Sequence, residues 1–306
     1  MGVTIRRIVP GDADQVAALV ARAHERGDLA AASPWLEHGF RPSMVPAGMA
    51  AVALDDDELV GVVLPDLKAI VVEPDRRLEG IGQRLVIAGC EIVRDAGGDA
   101  LFLGTRPGER GAEDFLEATG FAYHSSVWDL ALEAMVPVAD ATLPDGYHAR
   151  PFRRAADLET WVAAFNEAFT GHPTPLSLDA TSYAQWIEDA DIRDDDTILV
   201  EDETGRLAAF AATEPQYTAD GSVGAKAEIW ALGVRPGLQG RGLGRTSLRL
   251  GIARLRAIGA STVTLSVSGR NPRAVALYEA EGFVRVSTRD RWSRPVDGPP
   301  DTLDTA

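Results

Sequence analysis

The sequence predicts a mixed α/β fold, one central sheet with helices packed on it, built twice in tandem. Three observations predict it: a glycine-rich segment that recurs, strand patterns alternating with helical ones, and the same element order on both sides of a turn-rich joint. Arg77-Leu78-Glu79-Gly80-Ile81-Gly82 returns as Gln239-Gly240-Arg241-Gly242-Leu243-Gly244, and Thr119-Gly120-Phe121 as Glu281-Gly282-Phe283, both 162 residues later. At the front, Arg7-Ile8-Val9 with Ala13-Asp14 matches Arg150-Pro151-Phe152 with Ala156-Asp157 at a spacing of 143. The second copy therefore carries about 19 more residues, and the loops around Gly171 to Pro175 and Gln216 to Lys226 are the places for them.

Ala139 to Gly146 has the composition of a linker, which sets the domains at 1–138 and 147–294 with 139–146 between them. The tail, 295–306, is rich in Pro, Gly, Asp and Thr and is expected to be disordered. Each copy reads strand, helix, strands, helix, strand, helix, strand. In the second, Asp157 is placed to cap a helix running toward Phe169. Thr197 to Val200 and Leu207 to Ala212 are strands joined by the Glu203-Thr204-Gly205 turn, and Ile229 to Val234 is the next. Leu248, Ile252 and Leu255 put apolar groups on one face of the helix that follows the glycines. The β-branched run Thr262 to Val267, a short helix from Pro272 to Ala280 and a last strand from Phe283 complete the order.

Composition narrows the function classes. At 306 residues, 45% hydrophobic and 25% charged, the chain reads as globular, and its length favours two domains. One cysteine, Cys90, and five scattered histidines give neither a disulfide nor a metal-ligand spacing, so no metal is expected. No apolar run is long enough for a membrane span, and the start has no signal-peptide core; a cytoplasmic location and no membrane partner are expected. A net charge of −16 opposes nucleic-acid binding and favours cationic or neutral small partners.

A glycine turn between strand and helix offers backbone N–H groups and a positive helix end to phosphate. The dinucleotide fingerprint does not fit: counting from Gly242 through Gly244, its last glycine is Ser247, and from Gly80 through Gly82 it is Leu85. A P-loop would need glycine at Gln239 and lysine at Arg245. Charge points to phosphate all the same. From Trp230 to Arg294 there are 12 Arg and no Lys against three acids, whereas the matching window of the first copy, Lys68 to Leu132, holds 7 basic and 11 acidic residues. Arg241 and Arg245, in the loop and first helical turn, are the phosphate candidates; Arg249, Arg254 and Arg256 also read as an ordinary solvated helix face.

The segment Gln239 to Gly244 fits Q/R-x-x-G-x-G/A, and with Glu228 to Pro236, Asn271 to Tyr278 and Gly282-Phe283 in order, Tyr147 to Arg294 resembles the GCN5-related N-acetyltransferases. The resemblance implies two tandem acyltransferase domains of that type and acetyl-CoA as cosubstrate. It implies that the backbone of Gln239, Gly240, Arg241, Gly242, Leu243, Gly244 and Arg245 holds the diphosphate, and that a splayed strand offers Leu232, Gly233 and Val234 to the pantetheine. Glu228 would take the amine proton directly or through water, because an aliphatic amine with a pKa near 10 is protonated at neutral pH. Tyr278 matches the family's general acid, and Asn271 its helix-capping polar contact to the coenzyme. Each has a purely structural alternative: a strand-end glutamate, a packed phenol, a simple cap.

The first copy departs from the pattern. Glu79 stands where Arg241 does, Leu116 where Tyr278 does, and Asp66, the match of Glu228, falls in a Pro65-Asp66 turn. It reads as a degenerate copy that completes the acceptor pocket or an interface. The expected function is therefore N-acetyl transfer, directly and in the second copy, to a small amine-bearing acceptor. Tandem members of the family that acetylate a cysteinyl amine in mycothiol synthesis are the narrower likeness, and a coenzyme-binding scaffold without turnover is the alternative from another class. His172, Trp186 and Tyr217 are acceptor-pocket candidates against ordinary packing, and the expected assembly is a monomer or homodimer.

Overall fold

The computed structural model describes residues 2–26, 45, 48–171, 177–218 and 221–297. They fall into two compact units, Met1–Val127 with Thr288–Ala306, and Trp128–Ser287. In the first, β1 (Thr4–Arg7), β2 (Ala51–Asp55), β3 (Glu58–Leu64) and β4 (Ala69–Val72) form an antiparallel sheet in chain order. β3 is an unbroken apolar run from Leu59 because both its faces are covered. Val62 and Leu64 pack with Val16, Leu19 and Val20 of α1 (Ala13–Glu25), while Val60 and Val63 pack with Ile81 and Leu85 of α2 (Ile81–Asp95). β5 (Ala100–Thr105) and α3 (Arg110–Ala118) follow.

The second unit repeats this plan. β7 (Tyr147–Pro151), β8 (Thr197–Asp202), β9 (Leu207–Glu214) and β10 (Lys226–Val234) are antiparallel neighbours in chain order. β11 (Thr262–Ser268) then lies parallel to β10, a connection that requires a crossover, and α6 (Leu243–Ala257) supplies it. Leu248, Ile252 and Leu255 of α6 pack on Ile229, Val263 and Leu265, on one face of the sheet. The other face carries α4 (Arg154–Ala168) and α5 (Ala180–Asp189), whose Trp161, Phe165, Tyr183 and Ile187 pack with Phe210 and Ala212. α5 is an element the strand and helix patterns do not announce. Asp179 caps it, accepting from Ser182 N–H at 2.9 Å, and it accounts for part of the extra length of the second copy.

Two strands cross the unit boundary. β6 (Ala122–Glu133) passes from the first unit to the second after Val127, and β12 (Val284–Pro295) returns after Ser287 to pair Asp290–Pro295 antiparallel with β5. Residues 128–138 thus belong with the second unit and 288–294 with the first, a different division from the cut at 139–146. Packing gives the reason: Leu130 and Leu132 join the core of Ile229 and Leu248, and Trp292 joins Leu101, Leu116 and Phe121. Order also runs past 294, for Pro295 ends β12 and Val296 is buried; residues from 298 on lie outside the described ones.

Asp157 is not the cap of α4 but lies one turn inside it. There its carboxylate accepts from Arg153 N–H at 2.7 Å and from the Arg150 guanidinium at 2.6 and 3.0 Å. Arg6 and Asp12 repeat this pairing in the first unit at 2.6 and 2.7 Å, with Val9 N–H on the same carboxylate at 2.8 Å. The equivalent residues are Arg6 and Asp12 rather than Arg7 and Asp14, so the front of the repeat runs one to two residues off the sequence register.

Candidate active site

A cleft of about 510 Å³ opens in the second unit where β10 and β11 part. Their ladder pairs Lys226, Ala227 and Glu228 with Thr262, Val263 and Thr264 and stops there, although the strands run on to Val234 and Ser268. Beyond Glu228, the backbone groups of β10 on that side therefore face the cleft instead of a partner strand. A bulge at Ile229/Ala231 on the β9 side accompanies the parting. It moves the inward-facing residue from Ile229, under α6, to Ala231, under α4, and leaves Trp230 between them on the aromatic core. Leu232, Gly233 and Val234 line the cleft.

The floor of the opposite end is the glycine segment. Gly240 and Gly242 take φ of +84° and +87°, which residues with a Cβ rarely adopt, and Gly242 sits at the N-cap of α6 with no side-chain cap. The first-turn N–H groups of a 15-residue helix are thereby left to a ligand. Gln239, Gly240, Gly242, Gly244 and Arg245 line the cleft, as does Asn271, whose Oδ1 caps α7 (Pro272–Ala280) by accepting from Ala274 N–H at 3.2 Å. Arg241 does not line it and is exposed; Leu243 is buried in the core with Val200 and Ala209, so its side chain takes no part.

Tyr278 lines the cleft from α7 and is almost fully buried, packed against Phe283. Burial disfavours the phenolate and pushes its pKa up to about 12. Glu228 is half-buried and flanks the cleft, one residue before Ile229, where the lining begins. Directly across the β9–β10 ladder stands Glu214, buried at 7% exposure, a second carboxylate on the same face that the motif spacing does not reveal.

The other acceptor-pocket candidates sit elsewhere. Tyr217 does not line the cleft: its hydroxyl donates to Asp196 at 3.0 Å and its ring lies 3.6 Å under the Arg193 guanidinium, which anchors the inserted loop. Trp186 stands behind the lining, edge-on to Trp230 with centroids 4.9 Å apart. His172 lies outside the described residues. Trp230 and Phe169 line the cleft instead, both resting on Phe165.

Most of the arginines counted in the sequence are committed to the fold. Arg289, Arg291 and Arg294 are buried and belong to the first unit. Arg249 pairs with Glu281 at 2.7 Å, Arg254 with Asp196 at 2.9 Å, and Arg235 with Glu167. Arg256 donates to the carbonyls of Glu133 and Val136, and Arg285 covers the Trp128 ring. Arg245, which also reaches Glu281 at 3.2 Å, and Arg273 are the ones that line the cleft.

In the first unit the glycine loop keeps its left-handed residues, and an aromatic ring lies over the start of the helix that follows. Gly80 caps α2 at φ +76°, and Leu78, at the position of Gly240, is held at φ +66°. Glu79 is paired with Arg76 at 3.0 Å. The Phe115 ring, where the second unit has Leu277, comes within 3.1 Å of a Cβ position at Gly82, so it closes over the first turn of α2.

A parted parallel strand pair beside an uncapped, glycine-led helix defines an acyl-coenzyme transferase, and the chain belongs to the acetyltransferase (GNAT) family, which it matches over residues 19–121 and 156–283. It is an acyltransferase with two such domains, of a family that uses acetyl-CoA. It is 29% identical to a mycothiol acetyltransferase of Thermobispora bispora over 289 residues, 91% of this chain and 95% of that one. It is 30% identical to one of Salinispora arenicola, over 92% and 94% of the two chains. The fold is shared with a GCN5-related N-acetyltransferase of Sphaerobacter thermophilus (TM-score 0.62, 22% identity, 96% of each chain) and with a tandem GNAT protein of clavulanic acid biosynthesis (TM-score 0.61, 17% identity, 98% and 100%). No helix among the described residues is long and apolar enough to cross a membrane.

Proposed function

We propose that the second unit moves the acetyl group of acetyl-CoA directly to the primary amine of a small, cationic or neutral acceptor. The observation that carries this reading is the end of the β10–β11 ladder at Glu228–Thr264, in the same cleft as the α6 N-terminus and Tyr278. The residues present suit the coenzyme: uncapped N–H groups for the diphosphate, an open strand edge for the amides of pantetheine, and Asn271 and Arg245 at the rim. A backbone N–H of β10 near Leu232 polarises the thioester carbonyl.

Glu228 takes the amine proton through a water, since it flanks the lining rather than forming it. The neutral nitrogen then bonds to the acyl carbon, the carbon–sulfur bond breaks, Tyr278 gives its proton to the leaving sulfur, and the nitrogen releases its second proton to solvent as the neutral amide forms. The base ends protonated and the phenol ionised, and the two reset by exchange with solvent. The cysteinyl amine acted on in mycothiol synthesis is the acceptor favoured by the curated relatives, whose names and near-complete coverage support it. A coenzyme-binding scaffold is the competing reading. Thiol release from acetyl-CoA, measured over a panel of cysteinyl, sugar and peptide amines, tests both: acceptor-dependent release with a cysteinyl amine preferred is expected, and tight coenzyme binding with no release from any amine would leave only the scaffold.

A further inference from the structure

A second cavity, of about 320 Å³, lies in the first unit between β1 and α2. β1 is the edge of its sheet and pairs with β2 alone. Ile8 N–H donates to the Ala50 carbonyl at 2.9 Å, so by the alternation of an antiparallel ladder Arg6 and Thr4 also bond to β2. The N–H and C=O groups of Ile5 and Arg7 therefore point outward from the edge. Beside them, Arg84, Ile87, Ala88 and Glu91 of α2 line the same cavity as Ile5. At about 3.6 residues per turn these four form one stripe, a half-buried apolar pair between two exposed and opposite charges. Arg6 and Arg7 are committed to Asp12 and Asp95. Arg84 and Glu91 have no ion pair among the described residues, and about 10 Å of helix keeps them from each other.

We infer that this face docks a second copy of the chain, across a two-fold axis perpendicular to the β1–β2 sheet. The order of the charges carries the choice of partner. The midpoint of Arg84 and Glu91 falls between Ile87 and Ala88, so two α2 helices that cross antiparallel there set each Arg84 against the partner's Glu91 around an apolar centre. A parallel crossing would set like charges together. The same axis runs the two β1 edges antiparallel, so the outward groups of Ile5 and Arg7 meet groups of the same kind. A second copy holds this complement by symmetry, whereas an unrelated protein would have to supply it.

Sedimentation velocity on the full chain over a wide concentration range tests it. The wild type should move from the mass of one chain toward that of two as concentration rises. Arg84→Glu and Glu91→Arg, each alone, should weaken self-association roughly tenfold to a hundredfold, because the symmetry turns one substitution into two like-charge contacts. Mixing the two variants should restore association as a one-to-one heterodimer, in which both contacts are again opposite in charge. The double variant Arg84→Glu/Glu91→Arg should self-associate like the wild type for the same reason. Both side chains are exposed, so each variant should melt with the wild type, and a lost dimer then reports the contact rather than the fold. A wild type that keeps the mass of one chain throughout, or a dimer that either single variant leaves intact, overturns the inference. Failure of the mixture to recover also overturns it, since positions 84 and 91 would then not face each other.

Discussion

Gly233 lies directly opposite Phe210 in the β9–β10 ladder, and the Phe210 ring fills the space into which any side chain at 233 would project. The ring also stacks on Phe165 and meets Trp161 edge-on, so it has no room to retreat. Gly233→Ala should therefore cost about 1–3 kcal/mol of stability and displace the strand edge that lines the cleft. Chemical denaturation checks this, and the cost should shrink in a Phe210→Leu background. An equal cost in both backgrounds would place the strain elsewhere.

Tyr278 carries the second expectation. With its pKa raised to about 12 by burial, the phenol stays protonated through neutral and mildly alkaline solution. The kcat profile should show no alkaline decline from this group up to pH 10. Tyr278→Phe should lower kcat about a hundredfold and leave coenzyme affinity within about twofold. If kcat is unaltered in the phenylalanine variant, Tyr278 is packing only.

The expectation for Glu228 is a pH-dependent deficit. Glu228→Gln should lower kcat/KM about a hundredfold at pH 7, where almost all of an aliphatic amine is protonated. The gap to wild type should close as pH approaches the amine's own pKa near 10, since the acceptor then loses its proton without help. A deficit of constant size across the range would assign Glu228 to binding or architecture.

The readable parts of this site were those encoded locally. The glycine segment, the asparagine cap and Tyr278 follow one another at fixed spacing, and α7 falls on Pro272–Ala280 as the pattern predicts. What the sequence hid depends on the third dimension. Glu214 meets Glu228 only through the β9–β10 register. Arg273 is placed by the packing of α7 over the cleft, whereas Arg289, Arg291 and Arg294, which inflated the charge of the motif region, leave with β12 for the other unit. α5 was invisible because its Thr, Ser, Tyr and Trp residues are indifferent helix formers, and it owes its stability to burying Tyr183 and Ile187 on the sheet.

Asp157 should govern part of the acid stability of the second unit. Burial alone would raise its pKa, but hydrogen bonds from Arg150 and Arg153 outweigh that and bring it down to about 2. A depressed carboxyl stabilises the fold above its unfolded pKa of 3.8, and this contribution is lost as pH falls toward 2. Its size is about 2 kcal/mol. Asp157→Asn should lower stability by about that amount at pH 7 and flatten the fall between pH 4 and 2. Equal acid sensitivity in the variant would shift the effect to Asp12 or another carboxylate.

Stoichiometry follows from the contrast between the two glycine segments. Both keep a left-handed residue before the helix, at Gly80 and Gly242, so loop path alone would allow two coenzyme sites. They differ in what lies above. A Cβ at Gly82 would meet the Phe115 ring at 3.1 Å, while the nearest atom to a Cβ at Gly244 is a methyl of Val234 at 3.4 Å and Leu277 stands off at 3.9 Å. Glu79, held by Arg76, adds a negative charge beside the first helix N-terminus, where a phosphate would be repelled. Calorimetry should give one coenzyme A per chain, and Gly244→Val should abolish that binding by placing a branched side chain on the cleft floor. Gly82→Val should leave it unchanged. Two bound equivalents in wild type, or loss of binding on changing Gly82 alone, would move the working site to the first unit.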